Sequence, residues 1–83
     1  MAADTRRLVV EVLAQLRRRD ADELDAELAA GARCDSVWLV KAGVRAAREL
    51  GFRLRPDSGD AKHFKTVETL AVYLDARRPE DDA

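Results

Sequence analysis

Apolar residues recur at helical spacing near the start of the chain, and this periodicity constrains the fold more than any other feature. It predicts an amphipathic helix with one apolar face, because the residues fall at i, i+1, i+4, i+5 and i+8: Leu8, Val9, Val12, Leu13 and Leu16. Segments 35–50 and 66–77 show a similar pattern. The alternation of Phe52 and Leu54 with arginines would supply a single strand with nothing to pair with. We therefore predict an all-α chain.

Polar residues mark the expected ends of the first two helices. Asp4 or Thr5 is placed to cap the first helix, and the arginine run 17–19 is placed to close it. Cations favour the negative end of a helix dipole, so we interpret this run as a solvated helix end. Asp20 followed three residues later by Glu23 is typical of a capping box. A short second helix should follow it and end by Gly31.

A third helix should begin at Asp35-Ser36 and run to Leu50, with Gly51 just past its end. Residues 51–60 then form a long loop pinned to the core by Phe52 and Leu54. A last helix fits Thr66 to Arg77, with Thr66 as its cap. The prediction is a small four-helix bundle with three main helices, one short helix and one long loop.

At 83 residues the chain should form a single domain over 1–83. We expect an ordered core at about 5–77 and a frayed acidic tail at 79–83. The residues expected to be buried are the apolar members of the helical stripes and one loop anchor: Leu8, Val12, Leu13, Leu16, Leu50, Leu54, Val67, Leu70 and Leu74.

Composition argues against several classes of function. The formal net charge is −1, whereas nucleic-acid binding needs a basic face, so we expect no nucleic-acid partner. One cysteine and one histidine cannot form a multi-ligand metal cluster. No apolar stretch approaches the roughly 20 residues of a membrane span, and no signal peptide is evident. We therefore expect a cytoplasmic monomer that is not an enzyme, since so small a bundle offers no enclosed active site.

Asp35 and Ser36 stand at the expected start of the third helix, and two interpretations apply to them. In one, Asp35 or Ser36 is an ordinary cap that accepts hydrogen bonds from the first turn, worth ~1 kcal/mol. In the other, the free N–H groups and the helix dipole stabilise a phosphate attached to Ser36. Asp35 would then help to hold a metal ion in the enzyme that attaches the phosphate.

The downstream residues resemble those of acyl and peptidyl carrier proteins. In that family an Asp-Ser-apolar motif opens the second main helix, and a bulky apolar residue follows near the helix end. An apolar residue with a proline comes next, then a short Thr-Val helix with an aromatic near its end. The matching positions here are Asp35-Ser36-Val37, Leu50, Leu54 with Pro56, Phe64, Thr66-Val67 and Tyr73-Leu74. The resemblance covers residues 5–77.

This resemblance implies a fold of the acyl-carrier-protein type with a 4′-phosphopantetheine cofactor attached covalently to Ser36, beside Asp35. The protein would hold acyl or aminoacyl groups as thioesters and present them to other enzymes. Implied partners are a phosphopantetheinyl transferase, an acyl- or aminoacyl-loading enzyme, and downstream synthase or tailoring enzymes. Leu39 and Phe64 would border any groove that receives the carried group. The alternative is an unmodified helical interaction module with a degenerate carrier fold.

The chain departs from the family at two places. The glycine usual before the Asp-Ser pair is absent, as it is in some carriers of D-alanine. Fatty-acid carriers present acidic residues along the helix after the serine, whereas this chain presents Lys41, Arg45 and Arg48. We therefore expect a polyketide or nonribosomal peptide pathway with dedicated partners. The residues expected to contact them are Val37, Trp38, Val40, Lys41, Val44 and Arg45.

Trp38 and Cys34 each have a second interpretation. A lone tryptophan is usually core, but this helix has an apolar stripe without it, so we expect Trp38 to point outward. Cys34 could act as a nucleophile with His63 as base and Asp35 as the orienting group. Nothing in the sequence brings His63 near it, and a partly buried or incidental thiol is the favoured interpretation.

Overall fold

The computed structural model describes residues 2–55 and 58–77, and every regular element in them is helical. The elements are α1 (Ala2–Arg17), α2 (Ala21–Ala29), α3 (Ser36–Glu49), a 3₁₀ helix (Ser58–His63) and α4 (Val67–Arg77). The predicted all-helical bundle of three main helices and one short helix is confirmed. The predicted frayed tail, 79–83, lies outside the described residues, as do Pro56 and Asp57.

Three of the four helices begin where local capping chemistry predicts. The Asp20 side chain accepts a hydrogen bond from the Glu23 backbone N–H at 2.9 Å, and α2 follows. At α4, Thr66 Oγ1 accepts from the Thr69 N–H at 3.0 Å, while Thr69 Oγ1 accepts from the Thr66 N–H at 3.1 Å. These contacts satisfy backbone donors that the first helical turn leaves unpaired.

Two helix ends form the same reversal of the chain. Gly51, at φ +94°, follows Leu50, the C-cap of α3, and the Phe52 N–H donates to the Ala47 carbonyl at 2.9 Å. Arg18 takes the equivalent place after α1 at φ +55°, and the Arg19 N–H donates to the Ala14 carbonyl at 2.8 Å. Both are Schellman motifs. The positive φ costs glycine nothing because it has no Cβ atom, whereas it strains the backbone at Arg18.

The predicted start of α1 is wrong. The helix already includes Ala2, so neither Asp4 nor Thr5 is its cap. Thr5 is instead buried, and its hydroxyl donates a hydrogen bond to the Asp75 carboxylate of α4. Thr5, which the sequence predicted as a cap, therefore links the first helix of the bundle to the last.

The core forms around α1, which contacts α2, α3 and α4, while α3 also contacts α4. Six of the nine predicted core residues are buried: Val12, Leu13, Leu54, Val67, Leu70 and Leu74. Leu8, Leu16 and Leu50 are only partly buried, contrary to the prediction. With helices on several sides, the buried stripe of α1 extends to Val10 and Ala14 and leaves Leu8 at its edge. Leu16 and Leu50 lie at helix ends.

Small residues let α3 lie close to its neighbours. Its buried face consists of Leu39, Ala42, Gly43, Ala46 and Ala47. A Cβ atom on Gly43 would lie 3.1 Å from Leu70 Cδ1 and 3.1 Å from Phe64 Cε1. Gly43 therefore has a packing reason to be glycine, because a side chain there requires Leu70 and Phe64 to shift.

The loop expected at 51–60 is partly helical, since the 3₁₀ helix occupies Ser58–His63. The two predicted anchors nevertheless hold, with Leu54 buried and Phe52 packed against the core. The 3₁₀ helix leads directly into Phe64, which is 2 % exposed, and then into the cap of α4. This segment positions residues 61–68 beside the start of α3.

Arginines of α1 and of the turn after it form an ion-paired seam with α2 and α4 (Arg6, Arg7, Arg19 and their carboxylate partners). Arg6 donates to Asp25 at 2.7 Å and to Glu68 at 2.8 Å, linking three helices. Arg7 pairs with Glu11, Asp22 and Asp25. Arg19 pairs with Glu23 and Glu27. The run 17–19 does end a helix, but Arg19 is not simply solvated as expected.

Candidate functional site

Ser36 is the first residue of α3, and its hydroxyl is not the helix cap. The N-cap is Asp35, whose Oδ1 accepts from the Val37 N–H at 3.2 Å. The Ser36 side chain is exposed and makes no hydrogen bond within the described residues. Between the two candidate caps, the structure selects the aspartate, and the serine hydroxyl is open to solvent.

A groove of about 1000 Å³ lies beside Ser36. One wall comes from the end of α2, residues 31–34 and the first turns of α3, and the other from the segment 61–68. Leu28, Val40, Phe64 and Val67 give the groove an apolar lining, and polar groups lie among them. The mixture of an apolar trough and an open hydroxyl suits an elongated amphipathic group better than a small polar one.

The charges around this groove favour an anion near Ser36. Arg33 and Lys65 both line the groove. The first turns of α3 and α4 also line it, and the N-terminal end of a helix carries partial positive charge. Two carboxylates oppose an anion there, Asp35 next to Ser36 and Glu68 across the groove. Arg6 donates a hydrogen bond to Glu68, which lowers the pKa of its carboxyl and keeps it ionised, while the charge of Arg6 offsets that of the carboxylate. Sequence reasoning did not assign a role to Lys65; the only available signal was its position just before the Thr66 cap.

The two residues expected to border a groove have different positions. Phe64 lines the groove as expected. Leu39 does not, because it is completely buried on the inner face of α3. Helical geometry explains the error: Leu39 lies on the same face as Ala42, Gly43 and Ala46, which is turned toward the core.

Cys34 also lines the groove, but its surroundings do not favour reactivity. Burial raises the pKa of its thiol, an effect that the nearby Arg17 charge opposes. The proposed base, His63, stacks on Tyr73 with ring centroids 4.6 Å apart and is not among the groove residues. Within the described residues, no three His, Cys, Asp or Glu side chains are grouped in a way that could hold a metal ion.

The outer face of α3 carries the residues predicted to contact partners. Val37 is 57 % exposed, Lys41 and Arg45 are exposed, and Val40 and Val44 are partly buried. Trp38 is partly buried and packs against the core, so it is less exposed than expected. Lys41 Nζ lies 5.1 Å from the centre of its ring and Arg17 Cζ lies 5.5 Å away. These cation–π contacts hold the indole beside the start of α3.

No protein-family model, curated protein or solved structure matches this chain. Nor does any helix in the described part of the chain combine the length and apolar character that crossing a bilayer requires.

Proposed function

We propose that this protein is a carrier of acyl or aminoacyl groups, which it holds on a 4′-phosphopantetheine group attached to Ser36 Oγ. The observation that carries the proposal is the open hydroxyl of Ser36 at the start of α3, released from capping by Asp35. A modifying enzyme needs such a hydroxyl to be accessible without unfolding the helix. The order of motifs from Asp35 to Tyr73 resembles the carrier family and supports the same function.

The residues around Ser36 fit the group chemically. Arg33 and Lys65 add positive charge to the groove that Ser36 lines, and the first turn of α3 adds its dipole. The apolar lining of the groove gives the arm or its cargo a surface to cover. When bound, the arm supplies a terminal thiol that holds the cargo as a thioester.

This chain would catalyse no chemistry of its own. Its contribution is tethering: a cargo fixed to Ser36 meets each partner enzyme at a high effective concentration instead of diffusing freely. The partners are a phosphopantetheinyl transferase, a loading enzyme, and the synthase or tailoring enzymes of a polyketide or nonribosomal peptide pathway. Asp35, next to the serine, is placed to assist the transferase.

Intact-mass measurement tests the proposal. The full chain is incubated with coenzyme A, Mg²⁺ and several broad-specificity phosphopantetheinyl transferases. We expect a gain of one phosphopantetheinyl group, with 3′,5′-ADP released as the Ser36 oxygen replaces it on phosphorus. Ser36→Ala should abolish the gain. Ser58 is the chain's other serine, so Ser58→Ala is the matched control and should be modified normally.

An unchanged mass with every active transferase would contradict the carrier function. It would favour the alternative, an unmodified helical interaction module. Modification that persists in Ser36→Ala would show that the attachment site is wrong.

A further inference from the structure

The outer face of α3 presents three cations without a carboxylate partner among the described side chains, although Lys41 does contact the Trp38 ring. Lys41, Arg45 and Arg48 follow one another at helical spacing and are all exposed. None of them forms an ion pair with the side chains described in 4–55 and 61–77. The nearest acidic residue in sequence, Glu49, lies at i+4 from Arg45 and still makes no pair with it. Positive charge is therefore concentrated on this face without an ion-paired carboxylate among the described side chains.

An apolar depression lies among these cations. It has a volume of about 470 Å³, and α1 and α3 both contribute to it. Leu16, Val40 and Val44 form its apolar part, and the three cations complete the lining. Leu16 and Val44 are partly buried, so a chemically matched side chain could remove the remaining apolar area from water.

Trp38 extends the same surface toward Ser36. Its ring lies between Arg17 of α1 and Lys41 of α3 and packs on the core, so little conformational freedom is left to lose on binding. A pre-positioned, partly exposed indole is the kind of residue that anchors protein interfaces.

We infer that this cationic depression (Leu16, Val40, Lys41, Val44, Arg45 and Arg48) binds an acidic amphipathic segment of a partner protein. An aliphatic side chain of that segment occupies the depression, and flanking carboxylates pair with the three cations. The inference does not require Ser36 to be modified, because none of the six residues depends on the attached group.

Charge and shape favour a protein partner over a nucleic acid or a membrane. The chain as a whole carries a net charge of −1, which disfavours long-range attraction to a polyanion. Bilayer binding requires a broad apolar face, whereas the large hydrophobic residues that are well exposed in the described part of the chain are Val37 on α3 and Val72 on α4. An apolar depression rimmed by cations accepts an aliphatic side chain with carboxylates at i±3 and i±4, and its volume of about 470 Å³ leaves room for a second apolar residue of the same segment.

The chain contains a single tryptophan, so its fluorescence reports directly on this surface. The probes are synthetic tryptophan-free helical peptides with a leucine flanked by glutamates, varied in the spacing of the glutamates. Matched peptides carry lysine in place of each glutamate. We expect a saturable change in Trp38 emission with an acidic peptide, weakening as salt increases, and no saturable change with the lysine peptides.

Two triple charge reversals provide the decisive pair of variants. Lys41→Glu with Arg45→Glu and Arg48→Glu should weaken peptide binding by at least ~10-fold. Arg53→Glu with Arg55→Glu and Lys62→Glu changes the net charge equally on exposed residues outside α3 and should leave binding within about twofold of the unaltered chain. Thermal melts of both variants confirm folding, and repeating the titration with Ser36→Ala separates this inference from the carrier function.

Several outcomes would overturn the inference. They are equal binding of acidic and lysine peptides, equal loss in the two triple variants, or no saturable response to any acidic peptide. Tighter binding to vesicles containing anionic lipid, or to a short DNA duplex, would instead assign the surface to a membrane or a nucleic acid. A normal peptide response in a chain that no transferase modifies would support this surface while contradicting the carrier function.

Discussion

Two groups of cationic side chains in this bundle differ in what surrounds them. In the ion-paired seam, Arg6 donates to carboxylates of two other helices, and Arg7 and Arg19 are similarly engaged. On the outer face of α3, Lys41, Arg45 and Arg48 follow one another at helical spacing, yet none has a carboxylate partner among the side chains described in 4–55 and 61–77.

The difference shows where this small domain uses electrostatics for folding and where it leaves charge available. Pairing in the seam joins α1 to α2 and α4, so those guanidiniums have few donors left for another molecule. Like charges on one helix face repel weakly, so these cations add little to the folded state beyond the contact of Lys41 with the Trp38 ring. In the inference above, these cations beside an apolar depression are the groups available to a partner protein.

The largest expected effect concerns Gly43, which holds α3 in the orientation that turns the three cations outward. Gly43→Val should lower the free energy of unfolding by about 3 kcal/mol, because its added atoms would overlap Leu70 and Phe64. Arg48→Val places the same β-branched residue on the exposed side of the same helix and should cost only about 0.5 kcal/mol. Urea denaturation followed by circular dichroism measures both.

Similar losses of unfolding free energy in Gly43→Val and Arg48→Val would contradict the contrast between the seam and the outer face of α3. They would mean that α3 is not held closely against α4, and that the direction its cations face is not determined by the core.

A smaller effect separates the two groups of arginines directly. Arg6→Gln removes charge from two contacts between helices and should lower the free energy of unfolding by about 1 kcal/mol, since the pairs are only partly buried. Arg45→Gln removes an equal charge from α3 and should change it by less than about 0.5 kcal/mol. If Arg45→Gln proves as destabilising as Arg6→Gln, α3 uses its cations for folding after all.

Helix boundaries could be predicted from the sequence wherever the signal was local. Asp35 and Thr66 cap their helices, and Gly51 ends α3, because capping chemistry involves residues only a few positions apart. Thr5 has the same local signal, but its hydrogen bond goes to Asp75, 70 residues away. Only the packed bundle shows which of these interactions forms.

The candidate site was predictable in its central residue but not in its surroundings. Asp35-Ser36 is visible in the sequence as a polar pair before an apolar run. Lys65 and Arg33 line the same groove only because the 3₁₀ helix places the start of α4 beside that of α3. The sequence pattern predicted a loop where this 3₁₀ helix lies. The seam was similarly hidden, because Arg19 reaches Glu27 only through the turn between α1 and α2.

The smallest effect is a difference in pH dependence. Arg6 lowers the pKa of the Glu68 and Asp25 carboxyls, and Arg19 lowers that of Glu27. A carboxyl whose pKa is lower in the folded chain adds stability above its unfolded pKa and loses it as pH falls through the folded value. The melting temperature should therefore decline as pH falls from about 5 toward 3.

The decline should be shallower in Arg6→Gln, where Glu68 loses the partner that lowers its pKa, and unchanged in Arg45→Gln, which has no carboxylate partner among the described side chains to lose. Melting curves of the three proteins across this pH range measure it, at low salt so that the exposed pairs are not screened. Parallel declines in all three proteins would mean that the Arg6 pairs add nothing to stability that depends on charge, and the contrast between Arg6 and Arg45 would then be one of geometry alone.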